Sequence, residues 1–416
     1  MIDTPYQREI DHSWNFKTAN TKEFTHCYHA YPAMMIPQIA RKLLKEYAPS
    51  GRLKYVLDPY MGSGTTLVEC SLLGIKSLGI DINPLARLIG NSKIDHHNIE
   101  EINILLGEAK KLSSSFKSSW ETSLNLESVT NIEFWYHPEV VQQLAFITEW
   151  VYSLDIDKQN FFKVALSEVI RESSYTRNSE FKRYRIAKEK LEGFSVDPFE
   201  LFLKKIERNL NGLSDFVKNS QPNLAKVESF NTVDGFPEKY KDNCFDMVVT
   251  SPPYGDSRTT VAYGQFSRFA SEWLGYAQAQ KVDNMLMGGT RNNSLKVFSE
   301  SIKKELLKIG DIDPKRLVDV LSFLDEYKKS IFNVASKVRS EGIICYVVGN
   351  RTVKGVQIPL DYFTAEIFEL AGAEHINTLV REIPNKKMPS LNSPTNVTGK
   401  KTATMTNEYI VIMRKK

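Results

Sequence analysis

The run from Lys54 to Asp81 constrains this chain more than any other. An apolar segment, KYVLDP, meets a glycine turn, DPYMGSGTT, then a helical pattern, TTLVECSLLG, and a second apolar segment, SLGIDI. Strand, tight turn, helix and strand in that order form a βαβ unit, which requires a parallel sheet covered by helices. Gly62 and Gly64 let the backbone come close to a ligand. The third glycine of the dinucleotide fingerprint is missing, as is the Gly-Lys-Ser/Thr ending of a phosphate-binding loop, so a pyrophosphate ligand is disfavoured. Asp81 ends the second strand about twenty residues past the turn, where a carboxylate can accept from ribose hydroxyls. A ligand with a ribose and no phosphate fits these features, and S-adenosylmethionine is such a ligand.

The remaining pattern extends the same architecture. Residues 1–99 hold an opening turn, FTHCYHAYPAMMIP, an apolar-periodic helix, PQIARKLLKEY, and the βαβ unit. Residues 100–222 turn helical and more polar, with segments such as NFFKVALSEVIRES and FELFLKKIERNLNGL, and read as an insertion. Strand signals return within 223–256 as AKVESFN and FDMVVT. A second irregular tract covers 257–312, and 313–416 supplies a long helix, the strand GIICYVVGN, a helix DYFTAEIFELAG and two late strands, HINTLVREI and EYIVIMRK. The expected fold is one doubly wound, Rossmann-like α/β sheet with helical insertions, with its ligand at the ends of the parallel strands.

Composition narrows the setting. No apolar run approaches the ~20 residues of a membrane span, and the opening MIDTPYQREI has no apolar signal region. The four cysteines are scattered with no CxxC pair, which argues against a zinc site or disulfide framework and suits the cytoplasm. The net charge of +4 permits a polyanionic partner without demanding one. His26, His29, His96 and His97 lack the spacing of a metal site and read as surface or turn residues. Trp135 reads as part of the helical insertion's core.

The strand FDMVV runs into TSPPYGDS, residues 250–257. Two prolines stop the strand and stiffen the turn, presenting the Ser251 hydroxyl, the Pro252 carbonyl and the Tyr254 ring. With this segment, HAYPAMMIP (29–37), DPYMGSGTTLVE (58–69) and GIDINPLA (79–86), the chain resembles the amino-group DNA methyltransferases, which modify the exocyclic nitrogen of cytosine or adenine. The likeness covers most of the α/β core and leaves both insertions uncovered. It implies S-adenosylmethionine as cofactor and Ser251, Pro252, Pro253 and Tyr254 as the catalytic turn. It further implies that Tyr31, Pro32, Ala33 and Asp58 meet the methionine end of the cofactor beside Pro59, Gly62, Ser63, Gly64 and Thr65. Asp81 would hold the ribose, Ile82 the adenine face, and Asn231 or Asp234 the adenine amino group.

The chemistry explains the residue types. An amine conjugated to its ring is a weak nucleophile, and acceptors aimed at its hydrogens stabilise the positive charge that develops on nitrogen. Positioning for in-line displacement supplies much of the remainder, and Tyr254 would stack on a base flipped out of the duplex. No PC dipeptide is present, so the cysteine needed for ring-carbon methylation is missing. Serine heading the turn favours cytosine N4, by resemblance, over adenine N6. An RNA guanine-N2 methyltransferase and a catalytically silent DNA-binding module remain as alternatives.

Double-stranded DNA is the expected partner, with any cognate restriction endonuclease on a separate chain and no membrane. Residues 171–190 cluster Arg171, Arg177, Lys182, Arg183, Arg185, Lys188 and Lys190 with Tyr175, Phe181 and Tyr184. Cations neutralise phosphates and aromatics stack on bases, so Arg177, Lys182, Arg183, Tyr184 and Arg185 are expected to touch DNA. The segment SRTTVAYGQFSR adds Arg258, Tyr263, Gln265 and Arg268, read as a loop closing over substrate, and Lys386 and Lys387 are further candidates for phosphate.

Overall fold

Short runs of β-branched and aliphatic residues build one eight-stranded sheet. In chain order its strands are β1 (Arg8–Ile10), β2 (Tyr55–Asp58), β3 (Lys76–Ile80), β4 (Ala225–Glu228), β5 (Phe245–Thr250), β6 (Val338–Val348), β7 (Ala373–Glu382) and β8 (Asn407–Lys415). The computed structural model describes residues 6–49, 53–178, 181–256, 262–383, 391–392, 402–403 and 405–416.

Across the sheet the order is β1-β7-β8-β6-β5-β2-β3-β4. Neighbours run parallel except β8, which lies antiparallel between β6 and β7. From β2 the chain moves one way through β3 to β4, and from β5 it moves the other way to β6. The reversal falls between β2 and β5, paired at Val56↔Met247 and Leu57↔Val248. At such a switch point the strand ends splay apart and leave a crevice.

The strands alternate with period two. Leu57, Val248, Ile344 and Tyr346 face one core with Tyr327, Ile331 and Phe363, while Val56, Met247, Val249, Cys345 and Val347 face the other with Ile39, Leu43 and Trp14. The covering helices are α1 (Pro37–Glu46), α2 (Thr65–Leu72), α3 (Pro84–Ile94), α4 (Pro138–Ser153), α5 (Ile156–Glu172), α6 (Pro198–Asn219), α7 (Tyr263–Trp273), α8 (Pro314–Lys337) and α9 (Leu360–Leu370). Three of them open on an Asx-Pro pair: Asn83, Asp197 and Asp313 accept from amides of the first turn, and the following proline occupies a position whose N–H would have no helical partner.

Helices α4, α5 and α6 lie between β3 and β4 in the sequence. They share an apolar cluster with α7 that includes Phe161, Phe162, Leu166, Phe202 and Phe269. Three features depart from the sequence reading. Arg8–Ile10 is a strand, paired with Thr378–Val380. Residues 263–273, expected as part of a loop, form α7. His26, His29 and His97 are buried rather than on the surface, and His26 Nε2 lies 2.9 Å from Glu69 Oε1. No helix among the described residues is long and apolar enough to cross a membrane.

Candidate active site

Two carboxylates and a glycine turn frame the crevice between β2 and β5. Asp58 ends β2 with its side chain buried. Its Oδ1 accepts from Thr250 Oγ1, the last residue of β5, at 2.6 Å and from the Tyr60 amide at 3.3 Å. These donors are neutral, and burial pushes the carboxyl up to about 6.

Beyond it the chain turns through Gly62 (φ +50°) and Gly64 (φ +77°), a left-handed backbone that favours glycine. The Gly62 amide donates to Asp81 Oδ2 at 3.1 Å, and the Asn83 amide to Oδ1 at 2.7 Å. Burial pushes Asp81 up to about 7 against these bonds. Asn83 caps α3 with its oxygen and donates its amide N–H to Tyr31 Oη at 3.0 Å. Tyr31 in turn stacks on Tyr263 of α7, ring centroids 5.8 Å apart at 22°.

The resulting cleft opens to solvent and encloses about 600 Å³ including its mouth. Of the residues singled out in the sequence, Tyr31, Pro32, Ala33, Asp58, Gly62, Ser63, Thr65 and Asp81 line it, joined by Ser251 and Pro253. Pro59, Gly64, Ile82, Pro252, Tyr254 and Asn231 stand outside that lining. Gly64 begins α2 against α3, where an added Cβ would stand 3.1 Å from Gly90 Cα. Asn231 turns its Oδ1 to the Val233 amide at 3.1 Å. Met34, Met35, Tyr60, Met61, Tyr263 and Leu286 also line the cleft. The first four lie inside the quoted motifs, Tyr263 comes from the segment read as closing over substrate, and Leu286 arrives from the second insertion with no local sequence signal.

The basic segment is a loop closed by a bridge between Thr176 and Arg185. The Arg183 guanidinium lies over Trp135 (5.5 Å) and Phe269 (5.0 Å), and that of Arg185 over Phe134 (4.2 Å) and Tyr175 (5.4 Å). Arg177 and Tyr184 are exposed and Lys182 is half-buried. Arg171, grouped with them in the sequence, is instead buried, its guanidinium 4.5 Å from the Phe266 ring centroid. Arg258, Lys386 and Lys387 lie outside the described residues.

Residues 3–89 match a family model described as DNA methylase, the N6/N4 methyltransferases. Over 435 aligned residues the chain is 38% identical to the Type II methyltransferase M.MvaI of Kocuria varians, spanning 96% of this chain and 93% of that protein. The chain belongs to the amino-group DNA methyltransferase family. The Type II methyltransferase M.BsoBI of Geobacillus stearothermophilus is 28% identical over 57% of this chain and 50% of its own length. A tRNA (guanine(10)-N2)-dimethyltransferase of Methanocaldococcus jannaschii is 33% identical over only 24% of this chain and 28% of its own length.

S-adenosylmethionine is the cofactor of this methyltransferase, and the cleft suits it. Asp58 accepts only from neutral donors among the described residues, which leaves a buried carboxylate for a cationic ligand. Asp81, at the far side of the glycine turn, offers acceptor oxygens to hydroxyls.

Proposed function

We propose that this methyltransferase modifies the exocyclic N4 of a cytosine flipped out of double-stranded DNA, as the Type II modification enzyme of a restriction-modification system. The observation that carries the reading is Ser251, a serine rather than Asp or Asn, heading the SPPY turn and lining the same cleft as Asp58 and Asp81. The relatives that span most or half of their own length are Type II methyltransferases, which favours DNA over the RNA alternative.

When bound, S-adenosylmethionine supplies an electrophilic methyl on its sulfonium. In this reading Tyr31, Pro32, Ala33 and Asp58 hold its methionine end beside Pro59 and the turn Gly62–Thr65, Asp81 the ribose, Ile82 the adenine face and Asn231 the adenine amino group. Ser251 Oγ and the Pro252 carbonyl accept from the target amine and draw its nitrogen toward tetrahedral geometry. Pro253 stiffens the turn and Tyr254 stacks on the flipped base.

Residues 100–222 then form the DNA-reading part, set against the core segments 1–99, 223–256 and 313–416, with 257–312 as a second insertion over the cleft. Arg177, Lys182, Arg183, Tyr184 and Arg185 contact the duplex, with Arg258 assigned alongside them from the sequence alone. A cognate endonuclease is a separate chain. The test is transfer of labelled methyl to unmethylated genomic DNA, read by nucleoside mass spectrometry. N4-methylcytosine, abolished by Ser251→Ala, is the expected product. N6-methyladenine would overturn the base assignment, and no labelled nucleoside would overturn the DNA substrate.

A further inference from the structure

The Tyr254 hydroxyl stands between two oxygens, Ser251 Oγ at 3.1 Å and Glu408 Oε1 at 3.1 Å. A phenol carries one proton, and an ionised carboxylate can only accept. The Tyr254 proton is therefore given to Glu408, and the phenol oxygen is left to accept from Ser251. That uses the single serine proton, so the Ser251 lone pairs that remain face the cleft as acceptors.

The far end of this chain of bonds is anchored. Glu408 Oε2 is paired with Arg381 NH1. Arg381 itself is 4% exposed and donates to the carbonyls of Trp14 at 2.8 Å and Asn15 at 3.3 Å. Beneath the ring, Gly349 leaves room that no other residue would: an added Cβ would sit 2.6 Å from Tyr254 Cδ2 and overlap Met405 Sδ. Tyr254 is thus fixed from below by the residue that follows β6 and at its hydroxyl by β8.

We propose that Glu408 is a positioning residue and the terminal proton acceptor of a relay, Ser251 to Tyr254 to Glu408, that serves methyl transfer to the exocyclic amine. The inference rests on the reading of this cleft as an amine-methylation site, whichever base carries the amine. An amine nitrogen that donates its lone pair to a methyl becomes cationic and must release one proton. Ser251 Oγ takes that proton as its own passes to Tyr254 Oη, and the Tyr254 proton passes to Glu408 Oε1. Serine and tyrosine finish as they began, and one proton resides on Glu408. Its side chain is 18% exposed, so the proton leaves to solvent before the next turnover.

The variants are Glu408→Gln, which can accept a hydrogen bond but cannot take the proton, and Tyr254→Phe, which keeps the ring and loses the relay. Each is expected to slow single-turnover methylation about 100-fold while leaving the KM for DNA and the affinity for S-adenosylmethionine, read by calorimetry, unchanged. The double variant is expected to be no slower than either single one, because both break the same path. A wild-type rate in Glu408→Gln, or losses that multiply in the double variant, would overturn the relay. Should Glu408→Gln not fold, Tyr254→Phe decides alone: an undiminished rate rejects the proposal. Wild-type protein that methylates no DNA would instead sink the functional reading, a separate outcome.

Discussion

Thr250 donates its hydroxyl proton to Asp58 at 2.6 Å, so the last residue of β5 is bonded to the last residue of β2. One is followed by the SPPY turn and the other by the glycine turn. The bond fixes the distance between the residues assigned to the target amine and those assigned to the cofactor. Positioning of that kind is where a direct displacement gains most.

Asp81 gives a pH signature. Burial holds its carboxyl up at about 7, whereas accepting from ribose hydroxyls calls for the ionised form. Binding should then release a proton, so affinity for S-adenosylmethionine is expected to fall as pH drops through about 7. Calorimetry at pH 6 in buffers of different ionisation enthalpy checks this, and Asp81→Asn should bind weakly with no pH dependence. The sign for stability is opposite: the folded form holds its proton more tightly than the unfolded chain, so the free protein loses stability as pH rises toward 7. Melting followed from pH 5 to 7 should show this fall in the wild type, and Asp81→Asn should flatten it.

Asp256, two residues after Tyr254, is 1% exposed. It accepts from Arg351 NH1 and NH2 and from Arg316 NH2, each at 3.1 Å. The Arg351 guanidinium also packs against Gly255, where a Cβ would collide with it. Removing the carboxylate takes a buried ion-pair partner from Arg351 and from Arg316, which keeps its bond to Asp319, and Asp256→Ala should cost about 3 kcal/mol in urea unfolding. A loss below about 1 kcal/mol would show that the cluster is held by other contacts.

Arg183 and Arg185 each carry a buried Nε with no hydrogen-bond partner among the described residues above an aromatic ring. If they meet phosphates, Arg183→Ala or Arg185→Ala should weaken DNA binding on every sequence and reduce the slope of log K against log salt by about 1 each. Binding measured by anisotropy across a salt series tests this; an unchanged slope removes the loop from the interface.

Lys93 is fully buried, and its Nζ has no hydrogen-bond partner among the described residues. Burial lowers it to about 7, while the unfolded chain keeps the proton to the ordinary lysine range. Between those limits the unfolded state binds more protons, so stability rises with pH above about 7. Lys93→Met should be more stable than wild type at pH 7 and flatten that rise, measured by denaturant midpoints across the range.

The parts of this molecule that could be read in the sequence are those whose neighbours are close in the chain. The glycine turn and Asp81 announce themselves because strand, turn and helix follow within a few residues, and the prolines of 252 and 253 mark a strand's end wherever they stand. The place of β8 could not be read that way. Its antiparallel slot between β6 and β7 is set by which edges remain open once the other strands have paired. Arg171 looked like a surface cation because Phe266, whose ring and carbonyl receive it, is distant in sequence. Glu408 appeared only as the polar start of an apolar strand, and its partners Tyr254 and Arg381 meet it through the sheet.

The pairing of β1 with Thr378–Val380 and the placing of Glu408 on β8 also set an order of assembly. On the ribosome, the first strand of the sheet to emerge must wait for one of the last before it gains its neighbour. The cofactor strands β2, β3 and β5 can join well before that moment. Tyr254 has no carboxylate to hold its hydroxyl until residue 408 has been made and β8 has slid into its slot. Synthesis therefore separates the two halves of the site in time, and a nascent chain can shape the cleft before it can hold Tyr254, the residue proposed to meet the target base, in place.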